Sequence, residues 1–82
     1  MDIIKGIITT NSLTIKLSKK CYLLEFRLLI DSSIIIYGEI IVHFKTSKPI
    51  DYKIGETVSI KGEIIIDLGF IINATSITKE TA

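Results

Sequence analysis

Apolar and polar positions alternate with a period of two along most of this chain, the pattern of strands that bury one face. Leu13, Ile15 and Leu17 alternate with Thr14, Lys16 and Ser18. The preceding Ile3-Ile4-Lys5-Gly6-Ile7-Ile8 also reads as extended, with Gly6 marking a bulge or bend. Thr9-Thr10-Asn11-Ser12 is either a turn between two strands or a kink within one long, strongly curved first strand. Ser18-Lys19-Lys20 breaks the alternation and reads as a loop. From Cys21 the pattern resumes: Tyr22, Leu24, Phe26, Leu28 and Ile30 share one face, and Leu23, Glu25, Arg27 and Leu29 the other. Asp31-Ser32-Ser33 predicts a tight connection, so the next strand, Ile34 to Phe44, should return as an antiparallel hairpin. Its core face would be Ile34, Ile36, Gly38, Ile40, Val42 and Phe44, and its outer face Ile35, Tyr37, Glu39, Ile41 and His43.

Lys45 to Gly55 holds the only proline and is the longest irregular connection, with room for one helical turn after Pro49. A fourth strand follows, in which Val58, Ile60, Gly62, Ile64 and Ile66 alternate with Thr57, Ser59, Lys61, Glu63 and Ile65. Asp67-Leu68-Gly69 turns the chain into a fifth strand, Phe70 to Ile77. Composition agrees, because twenty isoleucines, two valines and eight threonines stand against two alanines. Side chains stiff at χ1 suit a pleated surface and disfavour helices. The expected fold is therefore all-β: one domain, residues 1–82, with five antiparallel strands in a closed or partly open barrel and little or no helix. Closing the sheet removes the exposed edges that such a short chain has little else to cover.

Charge narrows the function classes. Ten basic and nine acidic residues leave a net charge of +1, far from the field of a protein that coats DNA. A single cysteine, Cys21, and an N-terminus without signal-peptide regions lead to the expectation of a reducing, cytoplasmic setting. The richest apolar stretches are interrupted by Glu25, Arg27, Asp31 and Glu39, so no membrane span is expected. With one histidine and one cysteine, the chain offers neither a metal-ligand set nor a Cys–His pair, and a non-enzyme without cofactor or metal is expected. The excess of isoleucine and of lysine over arginine fits an AT-rich genome and a thermophilic archaeal host.

Gly55-x-x-Val58-x-Ile60-x-Gly62-x-Ile64, followed after a short turn by Phe70-x-Ile72-x-Ala74-x-x-Ile77, resembles the last two strands of the oligonucleotide/oligosaccharide-binding (OB) fold. The order of a kinked first strand, a hairpin, a connection and a second hairpin fits the same family. One departure is plain: many OB-folds place a helix between strands three and four, and Lys45–Ile54 is too short for it. That departure leaves an SH3-like barrel as the alternative.

The resemblance implies ligand binding across strands two and three, where bases stack on aromatic rings and phosphates meet cations. The candidate contacts carried over are Lys19, Lys20, Arg27, Tyr37 and His43, with Glu25 and Glu39 opposing a polyanion on the same face. Weak or no direct nucleic-acid binding is therefore expected. The same outer face offers aliphatic surface at Leu23, Leu29, Ile35 and Ile41, and Ile65 leaves strand four apolar on both sides. Such patches mark protein interfaces, unless the faces are assigned one residue out of register. The expected role is an accessory subunit docking on a larger protein of nucleic-acid metabolism, for example a polymerase holoenzyme. A minimal single-stranded DNA or RNA binder and a self-associating structural barrel are the alternatives.

Overall fold

In the computed structural model, which describes residues 2–30, 38–48, 50–66 and 69–80, the regular elements are all strands. They are β1 (Asp2–Ile8), β2 (Leu13–Ser18), β3 (Cys21–Ile30), β4 (Glu39–Thr46), β5 (Thr57–Ile66) and β6 (Phe70–Lys79). The all-β expectation holds, and the strands close on one another. β1 pairs with β5, β5 with β6, β6 with β4, β4 with β3, and β3 with β1, so the hydrogen bonds run in a ring. β2 continues along β3 outside that ring.

The first expected strand is one path with a kink. β1 and β2 lie end to end on the same edge of β3, with Gly6–Ile8 opposite Ile30–Leu28 and Leu13–Ser18 opposite Glu25–Cys21. Between them, residues 9–12 face only Phe26 and Arg27. The polar run satisfies the backbone there: Thr9 N–H donates to the Arg27 carbonyl at 3.0 Å, and Arg27 N–H donates to Thr10 Oγ1 at 2.9 Å. The extra length lets β1 swing from β3 towards β5.

Two pairings differ from expectation. A three-residue turn at 31–33 would set Ile30 opposite Ile34, whereas Ile30 N–H donates to the Gly38 carbonyl at 3.1 Å, four residues further on. The offset is even, so every residue of β4 keeps its expected face. Ile40 and Val42 are buried and Phe44 packs against the core, with Glu39, Ile41 and His43 on the other side. The second difference is that β4 and β6 run parallel, so the ring is not antiparallel throughout. The expected strand residues 34–37, and with them Ile35 and Tyr37, lie outside the described residues, as do the turn residues 31–33, Pro49, Asp67 and Leu68.

Inside the ring, Ile8, Leu24, Phe26, Leu28, Ile40, Val42, Val58, Ile60 and Ile72 form a fully buried core. β6 carries a bulge at Thr75: Lys61 faces Ser76 but Gly62 faces Ala74. The extra residue shifts parity, so Ile77 packs on the core after Ile72 and Ala74, which accounts for the two-residue gap in the sequence pattern. Thr75 Oγ1 donates to the Lys61 carbonyl at 3.0 Å across this bulge.

Close backbone approach selects glycine at two closure points. A Cβ on Gly6 would fall on the Leu29 carbonyl oxygen and 2.8 Å from Leu28 Cγ; one on Gly62 would fall on the Asn73 carbonyl oxygen and 2.8 Å from Ala74 Cα. Gly69 has nothing within 4 Å of such a Cβ. Gly62→Ala is therefore expected to cost about 2–3 kcal/mol through overpacking against backbone. That corresponds to a melting-temperature loss of roughly 10 °C or more. Gly69→Ala should melt within a few degrees of wild type in the same thermal denaturation, and equal melting of the two variants would contradict the assigned packing.

Candidate interaction faces

Paired residues point to the same side of a sheet, so the register turns the outer surface into rows of neighbours. One row crosses four strands as Arg27, Ile41, Ile71 and Ile65. Beside it, Ile7 pairs with Leu29, and Leu29 lies diagonal to Ile41. Ile7, Leu29 and Ile65 are 46%, 47% and 40% exposed, while Ile41 and Ile71 are half-buried. Ile41, Ile71 and Ile65 thus make an aliphatic row, with Ile7 and Leu29 beside it. Next comes a polar row of Leu13, Glu25, His43, Asn73 and Glu63. Beyond it Ile15, Leu23 and Lys45 form another row.

The structure thus brings Leu29, Ile41 and Ile65 together but separates Leu23 from them by Glu25 and His43. Ile7 and Ile71 were missed in the sequence. Their outward parity was readable, but their neighbours were not, because the first depends on the β1–β3 closure and the second on the parallel pairing.

The candidate nucleic-acid contacts also divide. Arg27 Nη1 lies 3.9 Å from Glu39 Oε2, and His43 Nε2 lies 3.5 Å from Glu25 Oε1. Both side chains therefore sit against carboxylates, in exposed or partly exposed contacts that contribute little to stability. Lys19 and Lys20 form the exposed β2–β3 turn. Pairing of Lys16 with Tyr22, Tyr22 with Thr46 and Leu23 with Lys45 places Lys16, Lys45 and, just beyond β4, Lys48 at the same end. No acid occurs among residues 13–24 or 44–48, so this end carries five lysines without internal compensation. Lys45 and Lys48 escaped the sequence reading because the β3–β4 register was needed to bring them there.

At a second place the chain makes a compact polar cluster over the core. Tyr52 is 3% exposed and packs its ring 5.5 Å from that of Phe26. Lys79 Nζ lies 5.3 Å from the Tyr52 ring centre and 3.2 Å from Glu56 Oε2, while Glu56 Oε1 accepts the Lys53 N–H at 2.6 Å. Lys53–Glu56 is a turn with Gly55 at φ +92°, closed by Glu56 N–H donating to the Lys53 carbonyl at 3.2 Å. Gly55 N–H in turn donates to the Ile8 carbonyl at 2.8 Å, which ties the turn to the end of β1. A connection too short for a helix thus covers the core with one aromatic ring. Burial, and secondarily the Glu56 charge, pushes the Tyr52 hydroxyl up from its ordinary value.

Surface depressions lie along β6. One of about 400 Å³ is lined by Leu23, His43, Lys45, Asn73 and Ala74, and a neighbour of about 420 Å³ by Asp2, Glu63, Asn73, Ala74 and Thr75. Neither collects a nucleophile with a base, and among the described residues no polar or charged side chain is buried and no group of three His, Cys, Asp or Glu is placed to hold a metal. Among the same residues no helix is long and apolar enough to cross a membrane. No family model matches the chain, and no curated protein or solved structure matches it significantly.

The Glu56 carboxyl is held below its ordinary value of 4.5, chiefly by the Lys53 N–H, with Lys79 adding and desolvation opposing. A lowered folded value means that its stabilisation is complete above the unfolded value and disappears as pH falls through the folded one. Wild type should therefore lose melting temperature as pH drops from about 5 to about 3. Glu56→Gln should melt lower at neutral pH and show a shallower decline over that interval. Parallel pH profiles for the two proteins would remove Glu56 from the acid response.

Proposed function

We propose that this chain is a non-catalytic, OB-like barrel that serves as an accessory subunit of a DNA replication or repair assembly, for example a polymerase holoenzyme, through protein–protein contacts. The observation that carries this reading is the outward Ile41, Ile71 and Ile65 row, with Ile7 and Leu29 beside it across the Arg27–Glu39 pair, on the outer side of a closed sheet. Patches of this kind on small proteins mark interfaces. The kinked first strand, the two hairpins and the ring closure support the OB-like assignment. The carboxylates beside Arg27 and His43 argue against base and phosphate readout across β3 and β4. A free, half-buried Cys21 fits a reducing cytoplasmic setting.

The test is capture of partners by the tagged full chain from native-host extract after nuclease treatment, with mass spectrometry of the retained material. A stoichiometric larger subunit should survive nuclease. Ile41→Lys should abolish its retention while leaving the melting temperature within a few degrees, since this side chain faces outward. Recovery of no protein, or a large loss of stability in the variant, would overturn the docking reading.

The lysine-rich β2–β3 end favours a second reading, a minimal single-stranded DNA or RNA binder. Under that reading, oligonucleotide affinity falls steeply with salt, and Lys19→Ala and Lys20→Ala each reduce the slope of log affinity against log salt by about 1. Binding without salt dependence, or unchanged by both substitutions, would exclude phosphate contact at this turn.

A further inference from the structure

We propose that two copies of this chain pair antiparallel along β2, about a twofold axis at Ile15. Each strand of the ring has partners on both edges, whereas β2 pairs with β3 alone and touches no other strand. Among the described residues, no backbone hydrogen bond reaches its outer edge. All six of its residues are exposed, and Leu13, Ile15 and Leu17 are 58%, 42% and 50% accessible. A free edge is a row of unpaired N–H and C=O groups that accepts another extended chain.

The strand's own pattern selects a second copy as the occupant. With Ile15 opposite Ile15, Thr14 meets Lys16 twice, and Leu13 lies towards Leu17, which sits at the bulge between Lys16 and Ser18, so aliphatic side chains gather at the centre of the joint. Sliding the pairing by two residues one way sets Lys16 against Lys16 and Leu13 against Lys19. Sliding it the other way sets Leu17 against Asn11. Lys16 therefore excludes the neighbouring register. In the favoured one, the basic turn at Lys19 and Lys20 lies towards the uncharged run at residues 9–12 of the other copy. Leu23, which pairs with Ile15, extends the joined aliphatic strip onto β3 in both copies.

The interface is isologous, closes at two subunits and leaves the Ile41–Ile71–Ile65 patch uncovered. It is separate from the proposed accessory role. A dimer that retains no larger subunit leaves this inference standing while that reading falls, and a monomer that retains one does the reverse.

Sedimentation equilibrium of the pure full chain should give a concentration-dependent monomer–dimer equilibrium. Ile15→Lys should raise the dissociation constant on the order of tenfold or more. Its far-UV circular dichroism should stay unchanged. Cysteine crosslinking sets the register: in a Cys21→Ser background, Ile15→Cys should form a disulfide-linked dimer on oxidation. Facing Cα atoms of a strand pair lie within disulfide reach. Thr14→Cys, displaced from its symmetry mate, should stay monomeric. A chain that sediments as a monomer at all concentrations overturns the proposal, even if a foreign peptide binds this edge. Equal crosslinking of the two cysteine variants overturns it as well.

Discussion

Gly6 holds the ring shut. It pairs with Ile30 on one side and Val58 on the other, and Ile7 next to it pairs with Leu29 and Thr57, so two adjacent residues carry the closure of β3 onto β5 through β1. A side chain there would strike the Leu29 backbone, and closure at this separation requires its absence. The same constraint recurs on the opposite side, where Gly62 lets Asn73 and Ala74 approach at the β6 bulge. Two close contacts thus allow short strands to curl tightly enough to enclose a core built from nine fully buried side chains.

Closure also produces the feature that closure normally removes. β1 lies along β5 from Asp2 to Ile7 and meets β3 only at Gly6–Ile8, and the polar run at residues 9–12 absorbs the change of direction while staying bonded to Arg27. Where the chain continues along β3 as β2, the ring is already complete, and β2 hangs on one neighbour with its far edge free. Leu13 and Ile15 share the outer side with Glu25 and Leu23 because paired residues face alike. Burial therefore cannot account for Leu13 and Ile15. The alternation that identified this strand came from its outward face.

Face assignment was legible because parity is robust: β3, residues 38–44 and residues 57–65 kept their expected faces, whereas Ile66, expected inward, is 73% exposed at the end of β5. Register was not. Period-two patterns are unchanged by a slip of two or four residues, so the four-residue offset between β3 and β4 left no trace in the pattern. The patch suffered for the same reason. Leu23 and Ile41 belong to one face in the sequence but to rows on either side of Glu25 and His43 in the fold. Tyr52 was hidden differently, in an irregular connection without periodicity, and its place over Phe26 depends on the turn that ties Gly55 to Ile8. Isoleucine added its own ambiguity, since it favours strands whether or not it is buried.

The polar row of Glu25, His43, Asn73 and Glu63 does more than interrupt an apolar surface. On one side of it lie Ile41, Ile71 and Ile65; on the other lie Leu23, Ile15 and the five-lysine end. A polyanion following the lysines along β3 meets Glu25 within a few residues, at a distance where like charges repel through little screening. A protein partner seated on the isoleucines meets the same row as the polar rim of its interface, where carboxylates stay solvated at small cost. The row thus places two of the chain's nine carboxylates, Glu25 and Glu63, between an aliphatic surface and a basic one.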